Sequence, residues 1–141
     1  MNVLLDKFES SLNYPDIGKL ILRLGFSLMF LLHGIHKIYA GTDFIQGLFV
    51  DLGLPASFAY AVYLGEVVAP ILIALGIYTR LAAVTMIGTC LVVIGLLHLE
   101  DFFTLDKYGA WSVEGIATYL FASVAILLLG PGKYALRPES K

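Results

Sequence analysis

The chain has 141 residues, 59% hydrophobic and only 14% charged, and its mean hydropathy of +0.86 is too apolar for an ordinary soluble domain of this length. A formal net charge of −2 without a clustered basic face excludes nucleic acid as a partner. The single cysteine, Cys90, excludes an intramolecular disulfide, a Cys-x-x-Cys pair and a thiolate metal cage within one chain, so any redox chemistry must come from a bound cofactor or a partner.

Residues 1–16 form the first segment. Leu4, Phe8 and Leu12 recur at four-residue spacing, which predicts a short helix lying on the cytoplasmic membrane surface. Asp6, Lys7 and Glu9 break the apolarity, and no small-x-small cleavage site follows the first span, so a cleavable signal is not expected. Tyr14-Pro15-Asp16 offers a turn and an N-cap. The first predicted span then runs over residues 17–39. Residues 43–53 carry Phe44, Ile45, Leu48, Phe49 and Leu52 at helical spacing and end at Gly53 and Pro55, a short interfacial helix capping one mouth of the protein. The second span covers residues 59–78, with Pro70 either kinking it or sitting in it as a tolerated membrane proline. Tyr78-Thr79-Arg80 leaves room only for a tight hairpin before the third span, residues 81–99. The loop "DFFTLDKYGAW" adds Phe102, Phe103, Tyr108 and Trp111, an interfacial aromatic belt. The fourth span, residues 112–130, is stopped by Gly130-Pro131-Gly132, and residues 131–141 form a tail.

Each of the four runs is long enough to cross ~30 Å of hydrocarbon and lacks the period-two alternation of a barrel wall. The predicted fold is all-α: a four-helix transmembrane bundle with short interfacial helices, residues 17–130 forming one membrane domain. Gly25, Gly65, Gly88, Gly95 and Gly115 are the expected points of close helix approach. An even number of spans puts both termini on one side, which collects Lys7, Lys19, Arg23, Arg80, Lys133, Arg137 and Lys141, leaving Lys37 and Lys107 opposite. The positive-inside rule then makes both termini cytoplasmic.

The polar residues inside the spans gather on the outer half. His33 lies six residues before Tyr39, Glu66 seven after Ala59, and His36, Lys37, His98 and Glu114 fall near the ends of their spans on the same side. His33 and Lys37 are i, i+4 neighbours and His36 stands ~60° round from His33, so the three are expected to share a face turned towards Glu66. A charge in the apolar interior costs about 2.5 to 3.5 kcal/mol even on the lenient insertion scale. Glu66 therefore needs a partner, for which Lys37, His33 and Arg23 are candidates. The bland alternative is a fold-specifying ion pair, with His36, His98 and Glu114 among headgroups. Arg23 either snorkels to the cytoplasmic headgroups or has an internal role. Tyr39, Tyr60 and Tyr63 make the outer face strongly aromatic.

The ordered motifs "RLGFSLMFLLHGIHKI", "GEVVAP", "GIYTRLAA" and "GPGKYALR" resemble the DoxX family of small four-helix membrane proteins, from about Arg23 to Arg137. The resemblance implies a bacterial membrane component associated with oxidoreductases, including membrane subunits of thiosulfate:quinone oxidoreductase, and carries Arg23, His33, Lys37, Glu66 and Arg80 over as the family's polar positions. "EVVAP" departs from the family, where glycines commonly follow the glutamate.

These readings converge on a quinone site in the bacterial cytoplasmic membrane. His33 or Lys37 donates to a quinone oxygen, Glu66 accepts the proton, and Arg23, His36, His98, Tyr63 and Glu114 are candidate cofactor-binding or relay residues. The sequence carries no flavin or nicotinamide fingerprint, haem-attachment motif or Fe–S ligand set, so a soluble or membrane redox partner is expected, and a second copy of this chain is a candidate neighbour. Three alternatives stand beside it: haem between His36 and His98, a metal held by His33, His36, Glu66 and His98, and a non-enzymatic carrier, chaperone or assembly factor.

Overall fold

The structure, a computed structural model, describes residues 3–138; Lys141, one of the counted positive residues, lies outside them. Among the described residues there are helices and a single isolated β-bridge, Leu105 to Trp111. α1 (Val3–Ser11) leaves Leu4, Phe8 and Leu12 exposed, an apolar stripe suited to a lipid interface. α2 (Pro15–Ala40) starts with Pro15 in its first turn, and Tyr14 occupies the cap position without a side-chain bond. Asp16 is thus not the cap; it sits in the first helical turn, where the helix dipole favours a carboxylate, and accepts from the Lys133 backbone N–H at 3.4 Å.

α3 (Asp43–Asp51) follows after Gly41, whose positive φ of 84° suits glycine alone at this bend. α4 (Ala56–Leu75) is a composite: a 3₁₀ turn at Ala56–Tyr60, an α-helical turn, a π-helical segment at Leu64–Val68 and an α-helical end at Ala69–Leu75. It stops at left-handed Gly76, three residues before the expected end. α5 (Thr79–Leu97) and α6 (Glu114–Leu129) complete the bundle. α2, α4 and α5 are each long and apolar enough to cross a membrane, whereas α6 has 16 residues, about 24 Å at the helical rise.

α5 and α6 pack most extensively, and α2 lies against α4 and α6. The tight core, Phe30, Ala69, Ile73, Ala82, Ala83, Met86, Cys90 and Ile126, draws mainly on the half of each helix nearest the termini, with Phe30 and Cys90 just beyond the midpoints of α2 and α5. Half of it is small, Ala69, Ala82, Ala83 and Cys90, because helices in lipid associate by close packing rather than by escape from water. Of the five glycines expected at helix crossings only Gly65 does that work, against Thr89; Gly25, Gly88, Gly95 and Gly115 have no neighbour within 4 Å of where a Cβ would stand. Gly34, unremarked in the sequence, is the tighter crossing: a Cβ there would lie 2.6 Å from the Glu66 carbonyl carbon and 2.7 Å from Val67 Cγ2.

The segment after α6 laces the terminal end shut. Leu136 and Arg137 donate from their backbones to the carbonyls of Leu75 and Gly76 at 3.0 and 3.2 Å. Buried Arg23 donates to the carbonyls of Pro131 and Tyr134 at 2.5 and 2.8 Å. The guanidinium of Arg137 stacks 4.8 Å over the Tyr78 ring, a cation–π contact. Towards the opposite end, which carries α3 and the α5–α6 loop, the bundle opens around a cavity.

Candidate functional site

The local chain geometry around Glu66 explains why the carboxylate is where it is. Pro70 has no N–H to give the carbonyl four residues earlier and its ring would collide with that carbonyl in a regular helix. The backbone widens instead, and the Ala69 N–H reaches back five residues to the Leu64 carbonyl. Such π-bulges recur at functional sites because they re-aim one side chain. Gly34 on α2 lets the Glu66 backbone approach, and Gly65 does the same for Thr89 of α5. Glu66 is thereby buried, only 2% exposed.

Its partner is Lys37, whose Nζ donates to both carboxylate oxygens. Helical side chains lean towards the N-terminus of their helix, so Lys37 reaches down one turn to the level of Gly34 and meets Glu66 there. Tyr63 Oη donates to the Lys37 carbonyl at 3.1 Å and its ring stacks near Tyr60, fixing the last turn of α2 against α4. An ammonium has three N–H donors; two are engaged by Glu66, which leaves one for the cavity.

The cavity holds about 1180 Å³. Lys37 and Glu66 line it together with His33, His98, Thr85 and Thr89, while the remaining walls are largely apolar: Phe30, Leu64, Val92, Val93, Leu96, Ile116 and, from α3, Phe44, Ile45, Leu48 and Phe49. The His33 ring meets the Tyr119 ring edge to face with centroids 5.7 Å apart, and Phe30 lies against both. Phe49 closes on Phe58 in a similar T-shaped contact at 6.2 Å, which ties α3 to the start of α4.

His33, Lys37, Glu66 and His98 therefore share one cavity. His98 caps α5 at its mouth, with Nδ1 3.9 Å from Asp101. His36 does not join them: it is exposed and off the cavity wall. Relative to His33 it turns ~60° one way while Lys37 turns ~40° the other, and only the Lys37 side faces α4. Glu114 is exposed in the first turn of α6, a position favoured by the helix dipole, and is not part of the cavity lining. Arg23 serves the terminal end, and Arg80 donates from Nε to the Leu127 carbonyl at 3.1 Å. Among the described residues no three His, Cys, Asp or Glu side chains gather closely enough to hold a metal ion.

Three contributors went unread in the sequence: Tyr119, the Thr85–Thr89 pair and Gly34. Tyr119 left a usable signal, since a tyrosine well inside a span lies away from the interfacial belts where that residue normally sits. The threonines left none, because each satisfies its hydroxyl on the carbonyl four residues back, Leu81 and Thr85 respectively, as threonines in apolar helices commonly do.

Comparison with known proteins adds the following. The DoxX family pattern matches residues 18–99. The chain is 33% identical over 82 residues to "Putative oxidoreductase CatD" of Bacillus subtilis, covering 55% of this chain and 60% of that protein; this chain thus spans less than two thirds of that relative. It is 30% identical over 127 residues to "Uncharacterized membrane protein Rv3486" of Mycobacterium tuberculosis, covering 82% of this chain and 76% of the relative. No solved structure matches the chain. With the family pattern covering more than half its length and a membrane protein aligned over most of it, the chain is an integral membrane protein and belongs to the DoxX family.

Proposed function

We propose that this protein is a membrane component of an oxidoreductase system and that its cavity binds a quinone or a similar apolar redox molecule. The observation that carries this reading is a charged pair, Lys37 and Glu66, set into the wall of an otherwise largely apolar cavity. Ligand sites of this kind combine apolar walls with a few convergent polar groups, and ionisable groups at membrane depth are functional by default. The name of the Bacillus relative, "Putative oxidoreductase CatD", points the same way.

A bound quinone supplies two-electron, two-proton chemistry; the chain supplies the surroundings. The free N–H of Lys37 orients a carbonyl oxygen, and His33 offers a second donor. Glu66 is the proton acceptor at a carboxylate oxygen, and taking up a proton there weakens its bond from Lys37. The aromatic group Phe30, His33 and Tyr119 forms a surface against which a flat ring packs. Electrons enter or leave through a soluble or membrane redox partner. In this reading the protein crosses the bacterial cytoplasmic membrane four times, with α6 the short fourth span and both termini cytoplasmic.

The test is equilibrium binding of a long-chain quinone to the detergent-purified protein. Glu66→Gln and His33→Ala each weaken binding at least about tenfold, equivalent to ~1.4 kcal/mol; affinities equal to wild type in both variants overturn the proposal. The cavity volume also favours a second reading, since 1180 Å³ exceeds the roughly 300 to 1,000 Å³ of ordinary small-molecule sites and suits a lipid-like passenger carried without chemistry. Phospholipid binding that is indifferent to Glu66→Gln, with no quinone binding, selects that reading.

A further inference from the structure

The cavity and the core divide the bundle into two unlike halves. The cavity reaches about one turn below Glu66, to Thr85, and from there towards the termini the interior is closed by Ile73, Ala82, Ala83, Met86 and Ile126, each 0 to 2% exposed. Beyond them Arg23 holds the tail carbonyls and the tail pairs with the α4–α5 turn. Towards the other end the interior is empty space that reaches His98 at the end of α5 and runs beneath α3. Thr89, which packs on Gly65 next to Glu66, and His98 both line it, nine residues apart on one helix, about 13 Å by the helical rise.

The other polar groups lining this space are Lys37 and His33 from α2, Ser57 from α4, Thr85, Thr89 and His98 from α5 and Tyr119 from α6. Its volume and its several polar partners meet the conditions for holding water. α3 is the cover over it: Gly41 and Gly53, both at positive φ, flank the helix, and none of its residues is buried.

We infer that the Lys37–Glu66 site exchanges water, protons and polar solutes with one membrane face only, the face that carries α3 and the α5–α6 loop. Any proton that Glu66 takes up or gives away then crosses to that face and not to the one bearing the termini. Within the redox reading, on which this consequence rests, ligand reduction or oxidation becomes sided. The access itself rests on the cavity alone.

Cysteine accessibility tests the sidedness without turnover, so the redox reading and the access can fail separately. In full-length Cys90→Ala protein, single cysteines are introduced as Thr89→Cys at the depth of Glu66 and Val93→Cys one turn nearer the mouth. Lys107→Cys and Ser10→Cys mark the two faces. A charged, membrane-impermeant methanethiosulfonate is applied to sealed vesicles of each orientation, and unreacted thiols are counted by a maleimide mass tag after solubilisation. Both cavity cysteines are expected to react in the orientation that modifies Lys107→Cys and to be spared, by at least tenfold in rate, in the orientation that modifies Ser10→Cys. Reaction from the Ser10 face, reaction from both faces, or no reaction of Val93→Cys from either face overturns the inference.

Discussion

At the residue scale, the Lys37–Glu66 pair is asymmetric. Glu66 is 2% exposed and Lys37 26%, so removing either partner leaves a different orphan. Breaking a buried pair from one side costs about 3 to 5 kcal/mol when the charge left behind cannot reach water. Lys37→Met strands the buried carboxylate and takes the full penalty. Glu66→Gln leaves an ammonium that can turn into the cavity, so it destabilises less, and the double variant regains most of the loss. Thermal unfolding in detergent ranks the three; equal losses for the two single variants contradict the assigned burial. Gly34→Ala makes a separate prediction: its Cβ meets backbone at Glu66, and overpacking of that sort costs about 1 to 3 kcal/mol, whereas Gly25→Ala, facing open space, leaves the melting temperature unchanged or raised. The need of Glu66 for a cation was legible from its depth in an apolar run. The choice of Lys37 over Arg23 was not, because it depends on which way each side chain leans along its helix and on the tail carbonyls that engage Arg23.

At the scale of elements, apolar run length located the helices to within a few residues, and Gly130 marked a helix end because glycine tolerates positive φ, whereas left-handed Gly76 ends α4 inside the run read as continuing to Tyr78. The internal make-up of α4 was beyond such reading. Pro70 signals a disturbance, but whether a helix kinks or widens depends on what packs beside it, here Gly34 and Thr89. The predicted helix over residues 43–53 is present as α3, and its contact through Phe49 and Phe58 predicts a kinetic role. An aromatic pair of this kind contributes about 0.5 to 1.5 kcal/mol beyond area burial. Phe49→Ala is accordingly expected to speed ligand dissociation by roughly threefold to tenfold, with little change in unfolding temperature, in stopped-flow displacement of a bound quinone. Unchanged dissociation shows that α3 does not cover the route.

Over the whole molecule, the bundle pairs a tightly packed terminal half with an open half that has room for a ligand. The terminal closure hangs on Arg23, whose two bonds to tail carbonyls are charge-assisted, a class of interaction worth about 1.5 to 3 kcal/mol each. Arg23→Met therefore frees the tail, detected as faster proteolysis after Tyr134, while Lys19→Met at the neighbouring surface does not; equal cleavage of the two variants contradicts the role given to Arg23. Composition alone announced a membrane protein, and the family motifs announced which one of many helical bundles it resembles. A pocket in the outer half beside His33, Lys37 and Glu66 was expected from the polar residues alone, but its size and its extent beneath α3 were not legible, since an empty volume has no residues of its own.

Photoaffinity labelling with an azido-quinone, followed by mass mapping of the adducts, tests the central claim most directly. Adducts on cavity residues such as Val93 of α5 or Phe49 of α3 that disappear when excess unlabelled quinone competes are the predicted result. Labelling that competitor does not displace, or that falls on outward-facing residues such as Phe121 and Leu128, both strongly exposed, contradicts a quinone site beside Lys37 and Glu66.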